Sequence, residues 1–140
     1  MATKEQITEF FDQSRNAIVG GIRRDGSPHL TPNWFSYDGE HLYVSTTTKR
    51  AKYRVFKHDP RVTILVDDAE GRRYVSVRGT VEIREDLENV LPHFRATREK
   101  VGVAVPPDEE FLEFLRGDNR VLLVITPDGP IETWTTNGFS

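Results

Sequence analysis

The chain has 140 residues, of which 36% are hydrophobic and 29% are charged, and its formal net charge is −3 at pH 7. This composition is typical of a globular protein rather than a disordered segment, and the length predicts one domain over residues 1–140. The negative balance excludes a protein that binds polyanions over its whole surface, so any basic site must be local. The absence of cysteine excludes disulfides and thiol nucleophiles and is compatible with a reducing cytoplasm. The apolar runs are far shorter than the roughly 20 residues that span a membrane, and the first residues do not predict a secretion signal.

The first fifty residues predict one helix followed by three antiparallel strands. Residues 2–14 place Ile7, Phe10 and Phe11 at helical spacing, and Thr3 can cap the start of this helix. The residues that follow have the composition of β-strands. Asp-Gly pairs, which are strong hairpin signals, separate these predicted strands. The predicted strands cover residues 16–24, 27–37 and 40–46, with turns at Asp25-Gly26 and Asp38-Gly39.

The middle of the chain predicts a short helix and two further strands. Helix-forming residues 49–58 end at Asp59-Pro60, because the residue before a proline is disfavoured in helices. Residues 61–67 are nearly continuous in Val, Ile and Leu, which predicts a strand covered on both faces. Residues 72–84 alternate cleanly, and Gly79 occupies the apolar phase, where it predicts a bend or a close backbone approach.

The last third of the chain predicts two helices and two strands. A helix over residues 86–100 is expected to kink or restart at Pro92, and a second helix opens at Pro106-Pro107-Asp108 and ends at Gly117. The predicted strands cover residues 120–126 and 131–135. The chain therefore has six or seven antiparallel strands with short helices, a mainly β, α+β pattern. Closing such a sheet into a small barrel removes its exposed edges.

The strongest local signal is a concentration of positive charge in an acidic chain. On a helical wheel Ala51, Val55 and His58 point to one side, and Lys52 falls inside this apolar sector, between Val55 and Phe56. A lysine in that position must either extend its amine to water or meet a negative group. The cations between residues 49 and 61, opposed only by Asp59, are Lys49, Arg50, Lys52, Arg54, Lys57 and Arg61.

A run of hydroxyl side chains directly precedes this basic segment. Ser45, Thr46, Thr47 and Thr48 lie between a predicted strand and the predicted helix. Hydroxyls and free N–H groups at a helix start, followed by Arg and Lys, form a generic binding site for a phosphate monoester. From their spacing alone the cations are explained equally well as a solvated helix face. The hydroxyl run and the inward Lys52 favour the phosphate site.

Several stretches together resemble the pyridoxamine-phosphate-oxidase-like split-barrel superfamily, and more narrowly its actinobacterial branch of flavin- and deazaflavin-dependent oxidoreductases. The most specific is Arg50-Ala51-Lys52-Tyr53-Arg54 followed by His58-Asp59-Pro60-Arg61. Weaker stretches that agree in order and spacing are residues 25–35, 74–81 and 119–124. The resemblance covers about residues 5–135. It implies a six-stranded antiparallel split β-barrel with short helices.

The resemblance also implies a homodimer with a cofactor bound at the subunit interface. Its phosphate would rest near the basic segment, its ring system would lie along a barrel edge, and the second subunit would close the site. The implied contacts are Arg50, Lys52, Ser45 and Thr46 for the phosphate, Pro32, Asn33 and Trp34 for the ring, and Arg73, Tyr74 and Trp134 from the second subunit.

The implied cofactor is the deazaflavin coenzyme F420, with FMN as the alternative. Both carry a ribityl-phosphate arm, so the phosphate site does not separate them, although Lys49, Arg54 and Lys57 would suit the polyglutamate tail of F420. Reduced deazaflavin delivers a hydride from C5 of its ring, while the protein positions and shields the reactants. The expected activity is reduction of a small conjugated substrate such as an enone, quinone or tetrapyrrole, held by groups such as Asn33 or Tyr74.

Two other classes of function stay open. A non-catalytic flavin- or haem-binding carrier on the same barrel would hold its ligand without turnover. A nucleic-acid-binding barrel would display aromatic residues beside the basic segment, but only Tyr53 and Phe56 lie within it and the net charge is negative. The sequence therefore ranks nucleic-acid binding last.

Histidine and tryptophan give weaker signals. No metal site is predicted, because the histidines lack metal-ligand spacing. Trp34 and Trp134 are explained equally well by core or interface packing and by stacking on a cofactor ring. The four histidines are His29, His41, His58 and His93.

Overall fold

The computed structural model describes residues 2–139 and contains four α-helices and eight strands in that range. The helices are α1 (Lys4–Gln13), α2 (Ala51–His58), α3 (Leu87–Val101) and α4 (Asp108–Gly117), with a 3₁₀ turn at Ile131–Thr133. The strands are β1 (Asn16–Ile22), β2 (Pro28–Trp34), β3 (Ser36–Tyr37), β4 (Leu42–Thr47), β5 (Arg61–Asp67), β6 (Tyr74–Arg84), β7 (Arg120–Pro127) and β8 (Thr135–Asn137). Within this part of the chain no helix has the length and hydropathy that crossing a membrane requires.

All eight strands belong to one antiparallel sheet that curls into a half-barrel. The strand order is β2-β1-β5-β6-β7-β4-β3, and β8 pairs with β6 beside this path. Helix α1 lies near β3, helix α2 packs on β1, and α3 and α4 lie over the β4–β7 side of the sheet. The split-barrel α+β fold expected from the sequence is confirmed, but the expected count of six strands is wrong.

Two local features change the strands from those predicted. Phe35 interrupts the predicted strand 27–37, so this segment forms both β2 and β3. The predicted strand 131–135 is wrong, because the backbone N–H and the hydroxyl of Thr133 both donate to the Pro130 carbonyl and close a 3₁₀ turn. The last strand, β8, therefore begins later and pairs with the start of β6.

Strand β5 is buried on one face only, which corrects the expectation that both faces are covered. Val62, Ile64 and Val66 are buried in the core, whereas Leu65 points outward and is 37% exposed. Buried and exposed positions alternate along the whole strand. Leu65 made the sequence of residues 61–67 nearly continuously apolar, although the face of β5 that carries it is not covered by the rest of the described chain.

Helix α1 closes the barrel through aromatic contacts centred on Phe11. The fully buried Phe11 ring lies 5.6 Å from the ring of Phe35 and 5.1 Å from that of Tyr37, both edge-to-face. The Trp134 ring stacks on Phe11 at 6.3 Å, and its indole N–H donates to the Gly129 carbonyl at 3.0 Å. Such pairs stabilise a core beyond the area that they bury. Within one chain Trp134 is therefore a packing residue.

The segment between β6 and β7 folds into a two-helix layer. Helix α3 continues through Pro92 without a restart and ends at Gly102, whose φ of 79° is left-handed. Phe94 of α3 and both Phe111 and Leu115 of α4 are buried in one apolar cluster. This layer stands over β4 and β7 and forms one wall of the site described below.

Because of Lys100 on α3, the free energy of unfolding is expected to change with pH in the alkaline range. Its Nζ donates to the Phe35 carbonyl at 2.9 Å and lies 3.5 Å from the centre of the Phe35 ring. Burial lowers the pKa of Lys100 to about 8, against the opposing influence of Asp12. Between that value and the ordinary pKa of 10.5, the unfolded chain binds more protons than the folded chain. The free energy of unfolding should therefore rise with pH across this window.

Urea unfolding at several pH values across the window measures this effect. Lys100→Met removes the titrating group and keeps an unbranched apolar stem, so the free energy of unfolding should rise less with pH in the variant than in the wild type. Identical pH dependence in the two proteins would contradict the prediction, because the other titrating groups are common to both.

Candidate functional site

Helix α2 packs on β1 and turns one lysine into the protein. A Cβ on Gly21 of β1 would collide with side chains of this helix, so the two elements are in close contact. Lys52 and Phe56 are both buried at 4% exposure, in agreement with the predicted inward position of Lys52. Ala51 and His58 are exposed, which corrects the helical-wheel prediction that they share the inward face. Compared with the predicted face, the buried face of α2 is centred nearer to Lys52.

A cavity of about 360 Å³ lies between the ends of the strands and the two-helix layer. Among residues 2–139 its lining has three arginines and no acidic residue, although the whole chain is acidic. The lining residues that the sequence predicted as cofactor contacts are Pro32, Asn33, Trp34, Ser45, Thr46 and Arg50. Those that it did not predict are Asn16, Phe94, Thr97, Arg98, Phe114, Leu115 and Arg120.

One end of the cavity carries groups that fit a phosphate monoester. Arg120 donates to the Ser45 hydroxyl at 3.2 Å and pairs with Asp118 at 2.7 Å. Arg50 is the N-cap of α2, and no side chain caps the free N–H groups there. The Thr46 hydroxyl is buried and has no hydrogen-bond partner among residues 2–139, a costly state for a polar atom. Two guanidinium groups and a helix start at one cavity are an arrangement that fits an anion.

Lys52 is not among the described residues that line the cavity. Its Nζ donates to the Thr31 hydroxyl at 2.9 Å, and that hydroxyl lies 3.0 Å from the side-chain amide of Asn33. Burial, followed by the charge of Arg50, lowers the pKa of Lys52. Lys52 thus supports the strand that carries Asn33, and its direct contact with a phosphate stays a prediction.

Arg73 and Tyr74 are not brought to this cavity within one chain. The Arg73 guanidinium lies 5.0 Å from the centre of the Phe10 ring and pairs with Asp68 at 3.5 Å. Tyr74 begins β6, opposite Asn137 of β8. Their predicted contribution from a second subunit stays a prediction.

The remaining charged candidates lie outside the cavity. Lys49, Arg54 and Lys57 are exposed, and Lys57 Nζ lies 5.3 Å from the Tyr53 ring. Their suggested contact with a polyglutamate tail stays a prediction. In the part of the chain that the structure describes, no group of three or more His, Asp or Glu side chains is arranged to hold a metal ion.

The sequence analysis did not predict that residues of α3 and α4 line the cavity, nor that Arg120 does. For Arg98 and Phe114 the helical period indicates an apolar face but not which strands that face meets. Arg120 had a usable signal, because antiparallel pairing of the strands at 40–46 and 120–126 brings it beside the hydroxyl run. The observed register pairs Thr47 with Arg120.

Comparison with known proteins identifies the family. The pyridoxamine 5′-phosphate oxidase family model matches residues 3–129. An F420 reductase of known structure is 30% identical, with 86% of this chain and 92% of that chain covered and a TM-score of 0.68. The protein Rv2991 from Mycobacterium tuberculosis is 28% identical, with 99% and 86% covered and a TM-score of 0.81. HutZ, the heme storage protein from Vibrio cholerae, shares the fold at 17% identity, with 100% and 98% covered and a TM-score of 0.77. The superfamily resemblance is confirmed, and the chain belongs to the pyridoxamine 5′-phosphate oxidase family.

Proposed function

We propose that the protein is a cytoplasmic, homodimeric oxidoreductase that uses reduced coenzyme F420 to transfer a hydride to a small conjugated organic substrate. The observation that carries the proposal is a cavity lined by Thr46, by two arginines at the uncapped start of α2 and the start of β7, and by an apolar wall. The family binds flavins, and an F420 reductase is 30% identical to this chain.

The strand end of the cavity would hold the phosphate of the cofactor. Arg50 and Arg120 would neutralise a dianionic ester, and Thr46 would donate its hydroxyl hydrogen to an ester oxygen. Charge-assisted hydrogen bonds of this kind are stronger than neutral ones. When bound, F420 supplies the hydride, and the protein fixes the distance and orientation of the reactants.

The remaining walls would hold the ring and the substrate. Pro32 and Trp34 share the outward face of β2 and offer a flat apolar surface, while the Asn33 amide can hydrogen-bond a carbonyl group. Phe94 and Phe114 of the helical layer would cover the opposite side of the ring. Few dedicated catalytic side chains are needed, because the cofactor carries the chemistry.

A second copy of the chain would complete this site. Leu30 on β2 is 61% exposed, and Leu65 on β5, which pairs with Ile18 of β1, is 37% exposed on the same face of the sheet. Because Leu30, Pro32 and Trp34 alternate along β2, this apolar face runs directly into the cavity. A symmetric dimer would cover it.

Titration of the purified protein with F420 and, separately, with FMN tests the proposal, with cofactor fluorescence as the readout. Reduced F420 is then mixed with a panel of enones, quinones and tetrapyrroles, and cofactor oxidation is followed by absorbance. We expect tighter binding of F420 and saturable turnover. Tighter binding of FMN would assign the flavin-dependent alternative. Binding without turnover on the whole panel would assign a carrier, and failure to bind either cofactor would overturn the proposal.

A further inference from the structure

We infer that Arg98 recognises a carboxylate on the substrate, so that the protein prefers planar conjugated carboxylic acids to their neutral esters. The inference rests on the proposed function and names the substrate class for the same cavity. It assigns a specificity-determining role to a residue of the helical wall, on the two-helix layer that follows β6.

In the described part of the chain Arg98 has no acidic partner, unlike the other arginines of α3, α4, β7 and the end of β6. Within residues 2–139 its polar contact is a hydrogen bond of 3.4 Å from Nη1 to the Ala104 carbonyl. The neighbouring ion pairs are Arg84 with Asp86, Arg95 with Asp108, Arg116 with Glu88 and Arg120 with Asp118. A full positive charge that is left unpaired in a cavity wall is available to an anionic ligand.

Two aromatic rings hold the Arg98 guanidinium in place. Its central carbon lies 5.2 Å from the centre of the Phe111 ring and 5.1 Å from that of Phe114. Stacking on ring faces stabilises the cation and leaves the N–H groups on the edge of its plane free. Those edge groups match the two oxygens of a carboxylate in a bidentate pair. The side chain is thus ordered before any ligand binds.

Arg98 and the phosphate end of the cavity belong to different structural elements. The phosphate end is formed by β4, β7 and the start of α2, whereas Arg98 is carried by α3 and stands among Phe94, Phe114 and Leu115. One cation in an otherwise uncharged and largely apolar wall suits a ligand with an apolar conjugated body and a single acid group. A highly charged ligand would need further cations there. The second anion site is therefore assigned to the substrate.

Binding of coumarin-3-carboxylate and of its ethyl ester tests the inference, with isothermal titration calorimetry on the cofactor-free protein and on the protein saturated with F420. The wild type should bind the acid about tenfold or more tightly than the ester, the range expected for hydrogen bonds to a charged group. Arg98→Gln should bring the two affinities within about twofold, and Arg98→Lys should retain part of the preference.

Arg95→Gln is the matched control. Arg95 lies on the same helix and its guanidinium lies 5.7 Å from the centre of the same Phe111 ring, but Asp108 neutralises it and it does not line the cavity. This variant should keep the full preference for the acid. Equal loss in the Arg95 and Arg98 variants would mean that the preference depends on the packing of α4, which would overturn the inference.

Failure of this inference is distinguishable from failure of the proposed function. Equal affinities of the wild type for acid and ester would overturn the role of Arg98 whether or not F420 binds, and this result requires no variant to fold. A weaker F420 affinity in Arg98→Gln, with the acid preference intact, would place Arg98 on the cofactor and overturn the inference. An acid preference that depends on Arg98 in a protein that binds no F420 would support the recognition site and reject the F420-dependent activity.

Discussion

Replacement of Gly79 by alanine is expected to destabilise the fold by roughly 2–3 kcal/mol, the upper part of the range for forcing extra volume into a packed interior. Gly79 of β6 pairs with Pro127 of β7, and a Cβ at this position would lie 2.5 Å from the Thr126 carbonyl oxygen. The obstacle is backbone, which cannot rotate away as a side chain does. The β6–β7 ladder must therefore separate locally. Urea unfolding of the wild type and the variant measures the loss.

Gly117→Ala provides the control for this substitution. Gly117 is the last residue of α4, and a Cβ there meets nothing within 4 Å. Alanine is the better helix former, so this variant should be as stable as the wild type or slightly more stable. Equal stability of the Gly79 and Gly117 variants would mean that β6 and β7 move apart at little cost.

The same glycine illustrates which parts of the fold the sequence predicts. Clean alternation over residues 72–84 located β6, and the glycine in its apolar phase predicted a bend or a close backbone approach, of which the structure contains the close approach. Burial on one or both faces was less predictable, since an apolar residue such as Leu65 has the same local pattern whether the chain itself or another surface covers it. The last strand was misplaced because Thr133 closes a turn through its hydroxyl, a contact that hydrophobic periodicity does not report.

In the candidate site, too, the sequence predicted residues that are neighbours along the chain but not residues that only tertiary packing brings together. Arg50 and Thr46 were predicted because the cations and hydroxyls are neighbours in sequence and meet at one strand end. Arg98 was not predicted, because the cavity wall depends on how a two-helix layer packs on distant strands. The amine of the buried Lys52 donates to the Thr31 hydroxyl, a contact that the sequence did not predict, and its contact with a negative group stays a prediction.

Arg50→Gln is expected to raise the dissociation constant of F420 by about tenfold to a hundredfold, as for loss of a hydrogen bond to a charged group. Arg50 has no acidic partner in the described part of the chain and lines the phosphate end of the cavity. Fluorescence titration with F420 measures the change. Arg116→Gln makes the same change in net charge at an exposed residue paired with Glu88, so its affinity should stay within about twofold of the wild type.

A comparison with Arg120→Gln distinguishes a phosphate site from general attraction between a basic cavity and an anion. Arg120 shares its charge with Asp118, whereas Arg50 would present its whole charge to the ligand. The loss of F420 affinity should therefore be larger for Arg50→Gln than for Arg120→Gln, and the dependence of binding on salt should decrease more in the Arg50 variant. The reverse order, or equal small losses in the Arg50, Arg120 and Arg116 variants, would mean that the cavity attracts the anion without a specific contact from Arg50.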